Sequence, residues 1–184
     1  KVGHTGTLDK FAEGLLIVLA GKNTKLVPYF EGLDKTYVAT IKFGATTETL
    51  DTESPEIGPT VIPDFTRIKS ELSRFEGSQE QIPPQYSAVH VNGTRAYQRK
   101  LQGQDVELPS RSVTVYSIKI LNWSSPLLQT EIRCSKGTYI RALARDIGRA
   151  TGSTAYLQEL KRTHIGPFTL ENAVLPDDFD PTVD

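Results

Sequence analysis

The 184-residue sequence contains no methionine, one cysteine and one tryptophan. Cys134 alone cannot close an internal disulfide or build a cysteine-based metal cluster, so a reducing, cytoplasmic setting is expected. With no methionine, Lys1 is not a translational start, and a leading segment upstream of it is expected. Long hydrophobic runs are missing too. The longest, Leu15 to Ala20, falls far short of the roughly 20 residues that a membrane-crossing helix needs. No signal peptide opens the chain. The three histidines, His4, His90 and His164, are far apart and lack partners at metal-ligand spacing, so no metal is expected. Dinucleotide fingerprints and the nucleophile elbow of serine hydrolases are absent. Gly21-Lys22 hints at a phosphate loop, but the spacing is wrong and Asn23 stands where Ser or Thr is needed.

What is present is an ordinary globular composition, 38% hydrophobic and 23% charged. The net charge is −1, which taken alone argues against a nucleic-acid partner. The charge is unevenly spread, however. Glu171, Asp177, Asp178, Asp180 and Asp184 crowd the last stretch, which has no Lys or Arg. Without those five, residues 1–170 carry +4. Between Arg133 and Arg149, five cations (Arg133, Lys136, Arg141, Arg145 and Arg149) face Asp146 alone. Such a segment is either a solvated helix face or a surface for an anionic ligand.

Patterning predicts an α+β fold with a mixed, mainly antiparallel sheet flanked by helices and loops. Gly14–Ala20 reads as a short buried strand, and Asn23 as the cap of a helix reaching Phe30. Lys35–Phe43 alternates, with Tyr37, Ala39, Ile41 and Phe43 on one side. Gly44–Pro63 is polar and reads as a mobile loop. Asp64 should cap a helix through Phe75. Tyr86–Arg95 reads as a hairpin turning at Asn92-Gly93. Ser112–Leu121 and Leu127–Cys134 should pair, and a helix should run from near Thr138 to near Gly152. On that helix Ile140, Leu143, Ala144 and Ile147 share one face, while Arg141, Arg145 and Arg149 share another.

The densest local chemistry is His4-Thr5-Gly6-Thr7-Leu8-Asp9, followed by Gly14. Glycines let the backbone approach a ligand closely, and Asp9 offers a carboxylate for nucleophilic, basic or electrostatic work. On spacing alone, a glycine turn with a capping Asp is the more economical reading.

Resemblance changes that balance. His4–Asp9, with Ala12 and Gly14, resembles the catalytic motif of pseudouridine synthases of the TruB type, which act on uridine 55 of tRNA. Lys35-Thr36-Tyr37, Thr46–Asp51 with Thr52, Gln81–Ala88, Cys134–Arg141 and Leu160–Phe168 are similar to further motifs of that family, in the family's order. The resemblance implies a catalytic domain over residues 1–170 and an acidic tail over 171–184. The family's lysine-proline segment would precede Lys1, and no RNA-binding PUA domain would follow. His90 and Leu101 stand where the family usually has lysine and arginine.

The implied activity is isomerisation of uridine to pseudouridine in the T-loop of tRNA. It would need no cofactor and no metal, and the enzyme would be a cytoplasmic monomer. By resemblance Asp9 is the catalytic carboxylate, attacking the sugar or assisting a glycal-like path. Arg141 would form a bidentate pair with it. Tyr37 would stack on the flipped uracil and Leu160 would pack on its other side. Asp51 matches a family acidic residue near the site. His4 would fill the space left by the extruded nucleotide. Lys136, Arg145, Arg149, Lys161 and Arg162 would contact phosphates.

Overall fold

The computed structural model describes residues 1–87, 89–91, 94–95, 100 and 107–178. Asn92-Gly93, Leu101, the side chain of His90 and the acidic residues beyond Asp178 lie outside the described residues.

The described strands, in chain order, begin with β1 (Val2–His4), β2 (Glu13–Gly14), β3 (Val18–Ala20), β4 (Lys35–Phe43), β5 (Thr46–Thr47) and β6 (Glu56–Ile57). They continue with β7 (Gly77–Gln81), β8 (His90–Val91), β9 (Thr94–Arg95), β10 (Arg111–Ser124), β11 (Leu127–Cys134), β12 (Ala155–Ile165) and β13 (Phe168–Thr169). The described α-helices are α1 (Val27–Glu31), α2 (Phe65–Leu72) and α3 (Ile140–Ala150). Seven strands form the main sheet, in the order β13-β12-β4-β11-β10-β7, with β2 joined to β12. Every pairing in it is antiparallel except β2 with β12. This is the expected α+β class with a mixed, mainly antiparallel sheet.

The alternation in β4 is what builds the core. Ala39, Ile41 and Phe43 are buried on one face, against Leu128 and Ile132 of β11 and Leu157 of β12. Onto this face α3 lays Ile140, Leu143, Ala144 and Ile147, all buried. Each of the buried Ile and Leu side chains is worth about 1.5–3 kcal/mol of burial. The helix and sheet meet closely because Gly148 has no side chain. A Cβ there would lie 2.6 Å from the backbone nitrogen of Ala155. Thr151 ends α3 by donating its hydroxyl to the carbonyls of Ile147 and Gly148.

Several segments differ from the sequence expectations. Gly14–Ala20 is not one buried strand. It is split between β2 and β3, and only Leu15 is buried, while Leu16 and Val18 are exposed. Asn23 caps no helix; Gly21–Leu26 is a 3-10 turn without a side-chain cap, leading into the short α1 at Pro28. Asp64 does cap, accepting from the Arg67 amide at 2.9 Å, but the α-helix ends at Leu72 and a 3-10 turn carries it to Phe75.

Gly44–Pro63 is a hydrogen-bonded structure rather than a featureless loop. The β5–β6 ribbon brackets a turn in which the Asp51 carboxylate accepts from the Thr49 hydroxyl and the Glu53 amide. Leu50 within it has φ of 62°, a conformation that L side chains rarely adopt. The long β12 was not foreseen as a strand at all.

Candidate active site

Asp9 sits on a loop strung between β1 and β2. The loop's stems are tied down: the Thr5 amide donates to the Ile17 carbonyl at 3.1 Å, and the Leu15 amide to the Arg162 carbonyl at 2.8 Å. A local turn, Ala12 N–H to Asp9 C=O, keeps the tip compact. The Asp9 carboxyl is half-buried, and it faces Arg141.

Arg141 is 5% exposed, in the first turn of α3. Its Nη2 donates to Asp9 Oδ1 at 2.8 Å and to the Tyr86 carbonyl at 3.1 Å. Its Nη1 donates to Asp51 Oδ2 at 3.1 Å and to the Thr49 carbonyl at 3.0 Å. The expected bidentate Arg141–Asp9 pair is therefore a bridge: one guanidinium joins two carboxylates from distant parts of the chain. Nor do the three arginines of α3 share a solvated face. Burial falls along the helix, from Arg141 through half-buried Arg145 to exposed Arg149. Arg145 is committed to Asp146 at 2.8 and 3.0 Å and to the Ile82 carbonyl.

The start of α3 is fixed by a residue that the sequence reading did not single out. The buried Gln81 side chain accepts from the Tyr139 amide at 2.8 Å and donates to the Tyr139 carbonyl at 3.1 Å. It pairs with that backbone as a neighbouring strand would.

Electrostatically, burial pushes the Asp9 carboxyl above the usual carboxylate range. The charge and hydrogen bond of Arg141 pull it down, and the negative charge of Asp51 adds to the upward push. The net direction is up.

A cavity of about 270 Å³ opens beside Asp9, walled by Thr5, Tyr37, Tyr139, Leu160 and Arg162 among others. That volume lies just below the usual range for ligand clefts, about 300–1,000 Å³. Burial pushes the Tyr37 hydroxyl up to about 12, with the neighbouring Arg162 opposing, so Tyr37 stays a neutral ring at physiological pH. Leu160 faces both this cavity and the core. A second cavity, of about 400 Å³, is lined by Asp9, Lys10, Asp51, Ser54, Tyr86 and Arg141. Among the described residues, no three His, Cys, Asp or Glu side chains are grouped to hold a metal.

The structure thus brings Asp9, Tyr37, Arg141, Leu160 and the expected Asp51 together and adds Gln81. The remaining candidates are dispersed. His4 is exposed on β1, opposite Val18. Lys136 is exposed, and Lys161 is exposed with an ion pair to Glu13 at 3.0 Å. Arg162 is different in kind. It is 2% exposed, with its Nε on the Leu15 carbonyl and its Nη2 on the Gly6 carbonyl. The sequence held a signal for this: Leu160 and Arg162, two apart on a strand, share a face.

Comparisons with known proteins identify relatives of the chain. Residues 1–140 match the TruB family pseudouridylate synthase (N terminal domain). The tRNA pseudouridine synthase B of Borreliella burgdorferi (strain ZS7) is 48% identical over 178 residues, covering 95% of this chain and 63% of that protein. The protein of the same name from Parabacteroides distasonis is 43% identical over 182 residues, covering 98% and 77%. Among solved structures, a chain of a Cbf5-Nop10-Gar1 complex superimposes with a TM-score of 0.68 at 30% identity, over 92% of this chain and 41% of that one. The chain spans about three-fifths of the length of its Borreliella relatives. By the extent of the family match and the identity to these relatives, the chain belongs to the TruB family of pseudouridylate synthases.

Proposed function

We propose that this chain isomerises uridine to pseudouridine in tRNA, at position 55 of the T-loop, with Asp9 as the reacting carboxylate. The observation that carries the reading is Asp9 at the wall of the cavity that Tyr37 and Leu160 also line, held from behind by the Asp9–Arg141–Asp51 bridge. The relatives' shared name, tRNA pseudouridine synthase B, supports tRNA as the substrate.

The reaction exchanges the bond from ribose C1′ to uracil N1 for one to C5, with a proton lost from C5 and one gained at N1. A base inside a stack cannot turn over in this way, so the nucleotide is extruded first, at a few kcal/mol of unstacking. Tyr37 and Leu160 bracket the uracil, and His4 fills the space it leaves. Asp9, ionised, either attacks C1′ or withdraws a ribose proton on a glycal-like path. Arg141 orients it and keeps it charged against the cost of burial. Exposed Lys136, Arg149 and Lys161 contact phosphates at the rim. The catalytic unit spans residues 1–170.

Two solved relatives are H/ACA assemblies, one of them bound to a substrate RNA. The higher identity to proteins named for tRNA favours tRNA here. The test is pseudouridine formation on a T-stem-loop RNA. Asp9→Asn and Asp9→Ala are expected to abolish it while RNA binding survives. Full activity in Asp9→Ala would overturn the reading.

A further inference from the structure

We propose that Arg162 is a positioning residue for Asp9, closing the loop that carries it, rather than a contact to phosphate. The inference rests on the reading of Asp9 given above.

The loop from Gly6 to Leu15 leaves β1 and returns along β2 to the main sheet. Arg162 joins its two ends. The Nε donates to the Leu15 carbonyl at 2.8 Å, and the Nη2 to the Gly6 carbonyl at 3.2 Å. Its own carbonyl accepts from the Leu15 amide at 2.8 Å. Three hydrogen bonds from one residue thus fasten both stems, with Asp9 between them.

Two features show that this contact is built in. Gly14 pairs with Arg162 in the parallel β2–β12 register and has φ of +114°. A Cβ on Gly14 would lie 2.3 Å from the Arg162 carbonyl oxygen, so the two backbones meet only because glycine is there. Arg162 also lies opposite Tyr37 in the β4–β12 register, two residues beyond Leu160. One strand therefore supplies a cavity wall at Leu160 and the loop's fastening at Arg162.

The chemistry requires arginine. A guanidinium is planar, stays charged and presents donors in a fixed fork, so it can hold two carbonyls at a set separation. A lysine ammonium keeps the charge but has no such fork. At 2% exposure, Arg162 has no surface from which to meet a phosphate.

The test compares Arg162→Lys with the unaltered chain on a T-stem-loop RNA. RNA affinity should stay within about threefold, and kcat under saturating RNA should fall about 10- to 100-fold, as misplacement of a reacting group predicts. Amide hydrogen exchange of residues 7–9 should rise, with exchange in α3 unchanged. A variant with full kcat and unchanged loop exchange would overturn the proposal. So would one in which weakened RNA binding accounts for the whole loss.

If Arg162→Lys does not fold, the Nε–H of Arg162 in the unaltered chain decides by NMR. Protection from exchange both free and with RNA supports the clamp, and release from the Leu15 carbonyl on RNA binding overturns it. If the unaltered chain forms no pseudouridine, the functional reading fails by itself. The exchange comparison still judges whether Arg162 holds the loop.

Discussion

Asp51 meets Arg141 at 3.1 Å with only 1% of its surface exposed. It has a second effect at a distance: its negative charge raises the pKa of Asp9. Asp51→Asn removes that push and leaves Arg141 more fully to Asp9. The acid limb of the pH–rate profile, set by ionisation of Asp9, is expected to move to lower pH. Single-turnover rates on T-stem-loop RNA across the acid range check this, and an unmoved or raised limb refutes it.

Truncation at the same place acts on stability. Asp51→Ala leaves Arg141 buried with part of its charge uncompensated, and such losses cost about 3–5 kcal/mol. Chemical denaturation of the variant should show a drop of that order, together with loss of activity.

Asp9 itself should behave in the opposite sense. Its folded pKa is raised, so the folded state binds its proton more tightly than the unfolded state does. Stability tied to this group is therefore greatest below the unfolded carboxylate pKa and is lost as pH rises through the folded one. Asp9→Asn, which carries no charge, is expected to melt no lower than the unaltered chain at neutral pH. Its relative advantage should shrink as pH falls. Melting curves at neutral and acidic pH test both statements.

Gln81→Leu removes both hydrogen bonds to Tyr139 at nearly constant volume. The Tyr139 carbonyl keeps the Leu143 amide, but the Tyr139 amide is left unpaired, at a cost of about 1–3 kcal/mol. The start of α3, and Arg141 with it, should loosen, so activity is expected to fall along with thermal stability. An equally stable, fully active variant would show that the helix start holds itself.

At the surface, Lys136→Ala and Arg149→Ala should each weaken RNA binding and reduce the salt dependence of affinity by about one unit of slope. Arg145→Ala should instead lower stability, because its guanidinium already holds Asp146 and the Ile82 carbonyl.

Much of this was legible in the sequence where local chemistry decides. The alternation of β4, the apolar stripe of α3 and the Asp64 cap follow from period and side-chain type alone. Asp9 with its glycines was legible as a place for chemistry. The failures share a physical cause. Gly14–Ala20 is apolar enough for a core, yet the sheet accepts only its first two residues through β2 and Leu15. Arg141, Arg145 and Arg149 share a helical period, but only the tertiary approach of Asp9 and Asp51 decides which one is buried. Arg162, two residues after Leu160, shares a face with it, which signals burial, but the two carbonyls it meets lie far away in sequence.

Leu50 has a further consequence. A left-handed residue costs about 1–2 kcal/mol for a side chain that is not glycine. Its place is between Thr49 and Asp51, and both of these bind the same nitrogen of Arg141. In the language of coordination chemistry, the turn is a chelate: two donors on one short ring close over a single cation. Once either bond forms, the other is made at high effective concentration. Arg141 is thus gripped at Nη1 by a preassembled ring, leaving Nη2 to orient Asp9.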